Sequence, residues 1–159
     1  MSTLFICPTP IGNLEDISER VLKTLATVDV IYCEDTRRAK KLIDKFSIST
    51  PLKSYFLGNE LAKVGEIEET LDKGMNVALI SDAGTPLISD PGNLLIQQLI
   101  LKNYNIVSIP GPSSVLTALT ISGFELNEFQ FLGFVPKAGK EKGEFVIKLL
   151  NSKMPSVCF

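Results

Sequence analysis

Short apolar runs alternate with longer segments of helical periodicity along nearly the whole chain. The apolar runs, which predict β-strands, occupy residues 3–7, 28–33, 77–80, 106–109 and 129–135. Between them, apolar side chains recur at the three- and four-residue spacing of amphipathic helices. Strand–helix–strand units of this kind are joined by right-handed crossovers and build a parallel sheet. The sequence therefore predicts an α/β fold, with a mostly parallel sheet and helices on both faces.

Capping signals set the ends of the predicted helices. Asp16 is a candidate N-cap, with Glu19 as its capping-box partner three residues later. The Asp-Pro pair at 90–91 predicts the start of a helix that runs through Leu101, because aspartate caps free amides and proline suits the first helical position. Gly74 is a candidate helix stop.

The character of the chain changes after residue 136. Residues 137–144 are polar and predicted to be flexible, and a short helix over 145–150 and an apolar run at 157–159 follow. We therefore expect one α/β domain over residues 1–122 and the start of a second α/β domain over 123–159. Since the chain ends inside a strand-like run, we expect this second domain to be truncated.

The composition narrows the possible chemistry. The chain has no histidine, the commonest general base and metal ligand, so proton transfer must use Asp, Glu, Lys, Tyr or water. Its three cysteines, Cys7, Cys33 and Cys158, are too few and too scattered for a zinc site or a disulfide framework. We therefore expect no bound metal.

Charge and hydropathy argue against two further classes of protein. A protein that binds nucleic acid over most of its surface is strongly basic, whereas this chain has a net charge of −2. It does have a local basic cluster, formed by Arg37, Arg38, Lys40 and Lys41. No apolar stretch approaches the roughly 20 residues of a membrane span, and the N-terminus lacks the features of a signal peptide. We therefore expect a cytoplasmic protein with no membrane attachment.

Four loops that follow predicted strands are rich in glycine, proline and small polar residues. They cover residues 8–14, 34–37, 81–92 and 110–114. Each loop alone is compatible with an ordinary turn, but the ligands of open α/β sheets bind where such loops gather, outside the carboxyl ends of the strands. The loops contain neither a nucleotide-triphosphatase phosphate loop nor the G-x-G-x-x-G of dinucleotide-binding folds, so those enzymes are disfavoured.

The residue types in these loops suit a nucleoside ligand. Gly84 and Gly111 would allow the backbone to approach a flat purine or a ribose. Ser113 and Ser114, at a predicted helix start, offer amides and hydroxyls to an anionic group. Asp82 could accept hydrogen bonds from an amine or a hydroxyl, or lie near a sulfonium cation.

Five ordered motifs resemble those of the ribosomal RNA small-subunit methyltransferase I family. They lie at residues 8–17, 34–37, 81–92, 110–112 and 133–136 and extend over essentially the whole chain. This family belongs to the tetrapyrrole-methylase-like superfamily, whose members are two-domain, non-Rossmann α/β methyltransferases that bind S-adenosylmethionine between the domains. The chain matches the N-terminal half, so the resemblance implies a tetrapyrrole-methylase-like N-terminal domain.

The resemblance implies transfer of the methyl group of S-adenosylmethionine to the ribose 2′-oxygen of a cytidine in the decoding region of 16S rRNA. The implied partners are the small ribosomal subunit and, in a homodimer, a second copy of the chain. Carried over residue by residue, the cofactor contacts are Pro10, Asp82, Ala83, Gly84, Pro86, Ser113 and Ser114. Gly12, Asn13 and Arg38 lie on the substrate side.

Glu34, Asp35 and Arg37 are the candidate catalytic residues. A ribose hydroxyl is a weak nucleophile, so a carboxylate that takes its proton would help, and Glu34, Asp35 and Asp82 are the candidates. Alternatively, Glu34 and Asp35 form structural salt bridges to Arg37 or Arg38. Arg37 could instead hold an RNA phosphate in a bidentate clamp.

The chain departs from the family pattern at some positions. It has Gly58 where family members often carry a histidine before the Asn-Glu pair, and Ser114 where alanine is usual. Two other functions therefore stay open. One is a superfamily branch that methylates a tetrapyrrole or a protein side chain, which the motifs at 8–13 and 34–37 disfavour. The other is a truncated, non-catalytic remnant that folds but cannot complete a cofactor site.

Overall fold

A five-stranded parallel sheet forms the centre of the first part of the molecule. The computed structural model describes residues 2–159. The strands are β1 (Thr3–Ile6), β2 (Val30–Cys33), β3 (Leu52–Ser54), β4 (Val77–Ile80) and β5 (Asn105–Ser108). They lie in the order β3-β2-β4-β1-β5, and every neighbouring pair is parallel. The predicted parallel α/β sheet is confirmed.

Two helices pack on each face of this sheet. They are α1 (Glu19–Thr27), α2 (Thr36–Lys45), α3 (Glu60–Asp72) and α4 (Asn93–Leu101). Helices α1 and α2 share one buried cluster with Ala78 and Ile80 of β4, whereas α3 and α4 share the other with Val77 and Leu79. Successive side chains of a strand point to opposite faces, so β4 contributes to both cores. The predicted helices on both faces are confirmed.

The start of α1 differs from the prediction. Asp16 does not cap this helix but ends a short 3-10 turn, Leu14–Asp16. The cap is Ser18, whose hydroxyl accepts a hydrogen bond from the amide of Val21 at 3.2 Å. Serine and aspartate both cap helices well, so residue type does not by itself favour Asp16 over a serine two residues later.

Helix α4 also begins later than predicted. Its N-cap is Gly92 and its first residue is Asn93, so Asp90 lies in the preceding loop rather than at the helix start. In that loop Leu87 and Ser89 have positive φ angles, a conformation that non-glycine residues adopt at a cost. Gly74, in contrast, follows α3 with a φ of 79° and donates to the carbonyl of Leu71, as its predicted role as a helix stop requires.

Strand β3 is absent from the sequence-based prediction. It has three residues at the edge of the sheet, Leu52 pairing with Ile31 of β2. A segment this short shows no periodicity, and its pairing with β2 is what makes it a strand.

The second part of the chain contains α5 (Ser114–Thr120), β6 (Gln130–Phe131), α6 (Gly139–Leu150) and β7 (Ser156–Val157). Strand β6 is shorter than the predicted 129–135, and Gly133, with a φ of 68°, lies beyond its end. Helix α6 starts at Gly139, so most of the segment predicted to be flexible is helical. Strands β6 and β7 pair in parallel, and the ring centroids of Phe131 and Phe159 lie 5.1 Å apart.

The chain divides into two compact units. The first ends at Pro112 and the second is Ser113–Phe159. The assignment of domains to residues 1–122 and 123–159 stays a prediction. Across residues 2–159, no helix combines the length and the apolar character needed to cross a membrane.

Candidate functional site

The loops that follow β1 and β4 are bonded to each other at the carboxyl edge of the sheet. The amide of Thr9 donates to the carbonyl of Gly84, and the amide of Gly84 donates to the carbonyl of Thr9, each at 2.9 Å. The Thr9 hydroxyl also donates to the carbonyl of Ser81 at 3.0 Å. Both Thr9 and Gly84 are buried, so this junction is a rigid base for the residues around it.

The path of the chain opens a crevice at this junction. From β1 the chain leaves through α1 on one face, and from the neighbouring β4 it leaves through α4 on the other face. Adjacent strands whose connections leave in opposite directions mark the place where open α/β sheets bind their ligands. The predicted ligand edge therefore coincides with a topological switch point.

Two glycines bring these loops close to one another. Gly84 has a φ of 79°, and a Cβ atom there would lie 3.3 Å from Cδ1 of Ile11. A Cβ atom on Gly111 would lie 2.7 Å from Cβ of Pro8, closer than such atoms approach. At both positions the space that the missing side chain leaves is filled by the loop after β1. Gly84 and Gly111 thus allow the loops to pack closely against one another.

Asp82 joins the loop after β4 to the segment after β2. Its Oδ1 atom accepts a hydrogen bond from the amide of Asp35 at 3.2 Å, and its Oδ2 atom lies 3.0 Å from the guanidinium of Arg38. The side chain retains 24% exposure, so it remains accessible to a ligand. Of the neighbouring predicted cofactor residues, Ala83 is exposed and Pro86 is buried.

Asp35 and Arg37 are engaged with each other. Asp35 caps α2 by accepting from the amide of Arg37 at 2.8 Å, and both carboxylate oxygens accept from its guanidinium, at 3.0 and 2.7 Å. These hydrogen bonds hold the pKa of Asp35 well below its ordinary range. The structure thus contains the Asp35–Arg37 salt bridge, and the alternative role of Arg37 as a phosphate clamp stays a prediction.

Glu34 has a different environment from Asp35. Within residues 2–159 its carboxyl group takes part in no hydrogen bond and no salt bridge, although Asp82 and Asp90 lie near it. Burial and then the negative charges of these two aspartates raise the pKa of Glu34. Glu34, Tyr55 and Asp90 line one narrow cleft. A carboxylate with a raised pKa and no fixed partner has the properties of a general base.

A cavity of about 190 Å³ lies between the loop after β1, helix α2 and the end of β4. Its walls comprise Thr9, Pro10, Gly12, Leu14, Arg38, Ala39, Lys41, Leu42, Ile80, Ser81 and Asp82. The cavity brings together Pro10 and Asp82, predicted for the cofactor, with Gly12 and Arg38, predicted for the substrate. Lys41 also lines the cavity and was not among the predicted site residues, although the spacing of three from Arg38 places both on one helix face.

Three other predicted residues have local structural roles. Asn13 caps the 3-10 turn, its side chain accepting from the amide of Glu15 at 3.1 Å. Ser113 caps α5, its hydroxyl accepting from the amide of Leu116 at 3.3 Å, and Ser114 is the first residue of that helix. Both serines belong to the second unit. No group of three or more His, Cys, Asp or Glu side chains suited to a metal ion occurs in the described part of the chain.

Known proteins resemble this chain in sequence. The family model for tetrapyrrole (corrin/porphyrin) methylases matches residues 3–156. The ribosomal RNA small subunit methyltransferase I of Vibrio cholerae is 43% identical over 155 residues, which are 98% of this chain and 53% of that protein. The protein of the same name from Thermotoga maritima is 42% identical over 159 residues, 100% of this chain and 71% of that protein. The chain thus spans between about half and about seven tenths of the length of these relatives.

Solved structures resemble the chain in fold. A diphthine synthase superposes with a TM-score of 0.77 at 18% identity, over 99% of this chain and 64% of that chain. A uroporphyrin-III-C-methyltransferase from Thermus thermophilus gives a TM-score of 0.63 at 17% identity, over 86% of this chain and 61% of that chain. At this identity the likeness shows the fold alone. The sequence comparisons show that the chain belongs to the tetrapyrrole (corrin/porphyrin) methylase family and, within it, to the ribosomal RNA small subunit methyltransferase I group.

Proposed function

We propose that this chain carries part of the active site of an S-adenosylmethionine-dependent methyltransferase that modifies 16S rRNA. The acceptor in this proposal is the ribose 2′-oxygen of a cytidine in the decoding region. The observation that carries it is the cavity at the switch point, where Pro10 and Asp82 lie beside Gly12 and Arg38. The names of the relatives support ribosomal RNA as the substrate class.

The residues at the end of β4 fit the proposed cofactor. The carboxylate of Asp82 is partly exposed and suits the hydroxyls or the cationic groups of a nucleoside sulfonium. Ala83 is exposed and small, so the backbone there is accessible to a flat ligand. We assign cofactor contacts to Pro10, Asp82, Ala83, Gly84 and Pro86. The sequence motifs add Ser113 and Ser114 to the proposed cofactor residues.

The chemistry asks this chain chiefly to orient the acceptor. Bound S-adenosylmethionine would supply a methyl group that is already activated for transfer. Good orientation of the reactants can lower an activation barrier by roughly 7–11 kcal/mol. The rigid junction of Thr9 and Gly84 would contribute by holding the loops around the reactants in place. Glu34 is the proposed base that takes the proton of the 2′-hydroxyl. Asp35 and Arg37 position it by capping α2 and holding the segment after β2.

Methyl transfer to purified small ribosomal subunits tests the proposal. Subunits from a strain that lacks the encoding gene are incubated with the protein and S-adenosylmethionine labelled in its methyl group. We expect label in 2′-O-methylcytidine after digestion of the 16S rRNA. Label in a methylated base, in a ribosomal protein or in an added tetrapyrrole would contradict the proposed acceptor.

Calorimetric titration with S-adenosylmethionine separates a binding failure from a substrate failure. Absence of binding at millimolar cofactor would favour the non-catalytic remnant. The homodimer and the cytoplasmic location are proposed from the family alone, and light scattering of the purified protein tests the first.

A further inference from the structure

We propose that Lys41, together with Arg38, binds the phosphate of the RNA nucleotide that enters the cavity of about 190 Å³. The cavity is then a subsite for one nucleotide, and the phosphate of that nucleotide faces helix α2. This inference rests on the proposed function, because it assigns a substrate contact for the same reaction.

The position of Lys41 is set by the packing of α2. Ala39 and Ile43 of this helix are buried against the sheet, and this holds the helix in one rotation about its axis. Arg38 and Lys41, three residues apart, lie one turn from each other and both line the cavity. The two cations therefore occupy the same wall.

Lys41 is distinguished from the neighbouring cations by its lack of an internal partner. Arg37 pairs with Asp35, Arg38 with Asp82 and Lys40 with Asp44. Within residues 2–159, no carboxylate lies within salt-bridge distance of Lys41, which is exposed. A cation at the wall of a cavity with no internal counter-charge is suited to an anionic ligand.

The lining of the cavity suits an unpaired nucleotide, which has both a charged phosphate and an apolar base face. Leu14, Leu42 and Ile80 add apolar surface to this lining. Sequence-specific recognition of RNA targets unpaired nucleotides, whose phosphates position the strand without reading its sequence.

This inference assigns the phosphate contact to Lys41 rather than to Arg37, the residue that the sequence suggested. The carboxylate tail of S-adenosylmethionine is a second anion that this wall could bind. The two sources are separable because only the RNA contact releases counterions from a polyanion.

Fluorescence anisotropy with a labelled single-stranded RNA that contains cytidine tests the proposal on the whole chain. Lys41→Ala is compared with Lys40→Ala, which removes the same charge from the adjacent residue, outside the cavity. For Lys41→Ala we expect the slope of log affinity against log salt to fall by about 0.7, the value for one phosphate of a single strand. This corresponds to about fivefold weaker binding at 0.1 M salt relative to a 1 M reference. Lys40→Ala and Lys41→Arg should match the wild type in slope.

Each other outcome overturns the assignment in a distinct way. Wild-type binding of RNA with equal slopes for Lys41→Ala and Lys40→Ala removes the role of Lys41 and leaves the proposed function intact. Weaker binding of S-adenosylmethionine by Lys41→Ala with unchanged RNA binding assigns the residue to the cofactor instead. Absence of RNA binding by the wild type at low salt overturns the proposed substrate and this inference together. Thermal unfolding checks that the exposed substitutions leave the fold unchanged.

Discussion

The guanidinium of Arg38 lies 3.0 Å from the Oδ2 atom of Asp82, which joins helix α2 to the loop after β4 at the wall of the cavity. The other carboxylate oxygen of Asp82 accepts from the amide of Asp35. One side chain thus connects the elements proposed to bind the cofactor with those proposed to face the substrate. A substitution at Asp82 should therefore act on both sides of the site.

We expect Asp82→Ala to bind S-adenosylmethionine at least tenfold more weakly than the wild type. A hydrogen bond to a charged group contributes about 1.5–3 kcal/mol, and each 1.4 kcal/mol corresponds to a factor of ten. Isothermal titration calorimetry measures the change. Arg38→Ala is the control, because it removes the partner of Asp82 and keeps the carboxylate. Equal affinities of Asp82→Ala and wild type would refute the assignment of this loop.

Gly84→Ala should destabilise the protein more than Gly74→Ala. Both glycines have a φ of 79°, where a side chain costs about 1–2 kcal/mol. At Gly74 no atom lies within 4 Å of the added Cβ, whereas at Gly84 it meets Ile11 at 3.3 Å. The difference between their free energies of unfolding in urea isolates the packing of the two loops. Equal losses would show that Ile11 moves aside without cost.

Methyl transfer should rise with pH as Glu34 loses its proton. Burial and the charges of Asp82 and Asp90 raise the pKa of Glu34, so the carboxyl stays protonated to a higher pH than usual. We expect Glu34→Gln to slow transfer by about 10²- to 10⁴-fold, the usual contribution of a general base, and to remove this pH dependence. Single-turnover rates across the acidic range provide the measurement. If Asp35→Asn rather than Glu34→Gln abolished the dependence, the base would be Asp35.

Stability should depend on pH through Glu66 on helix α3. Burial raises the pKa of Glu66, but hydrogen bonds from Lys53, Lys63 and Tyr32 outweigh this and lower it to about 2. Because the folded-state pKa lies below the value of about 4.3 for an unfolded chain, the stabilisation is complete above that pH and is lost as the pH falls toward 2.

The free energy of unfolding of Glu66→Gln should therefore be lower than that of the wild type at neutral pH, by on the order of 1 kcal/mol. As the pH falls toward 2, the two proteins should become equally stable. Chemical unfolding at several pH values measures this difference. Glu69→Gln, an exposed change on the same helix, should have little effect. A destabilisation by Glu66→Gln that persisted unchanged at the lowest pH would contradict the role of the ionised carboxylate.

The sequence alone determined the features that depend on residues close to one another along the chain. The apolar runs of β1, β2, β4 and β5 and the helical spacing of their connections were predictable, since burial on the two faces of a sheet imposes those patterns. The loops at their carboxyl ends were predictable because they follow these runs and are rich in glycine, proline and small polar residues. Their ordered motifs were also specific enough to indicate the family that the relatives show.

Tertiary structure decided which of these local features meet. The strand order places β4 between β2 and β1, and only this order allows Gly84 to bond Thr9 and Asp82 to bond Asp35. Edge strand β3 likewise exists only through its pairing with β2.

The division of roles among the charged residues of α2 also required the structure. Arg37 and Lys41 are both cations near the predicted site, and the sequence favoured Arg37. Asp35, as the cap of α2, engages Arg37, whereas the rotation of the helix that buries Ala39 directs Lys41 to the cavity. Charge is a property of the residue, but its availability to a ligand depends on which partner the folded backbone brings within reach.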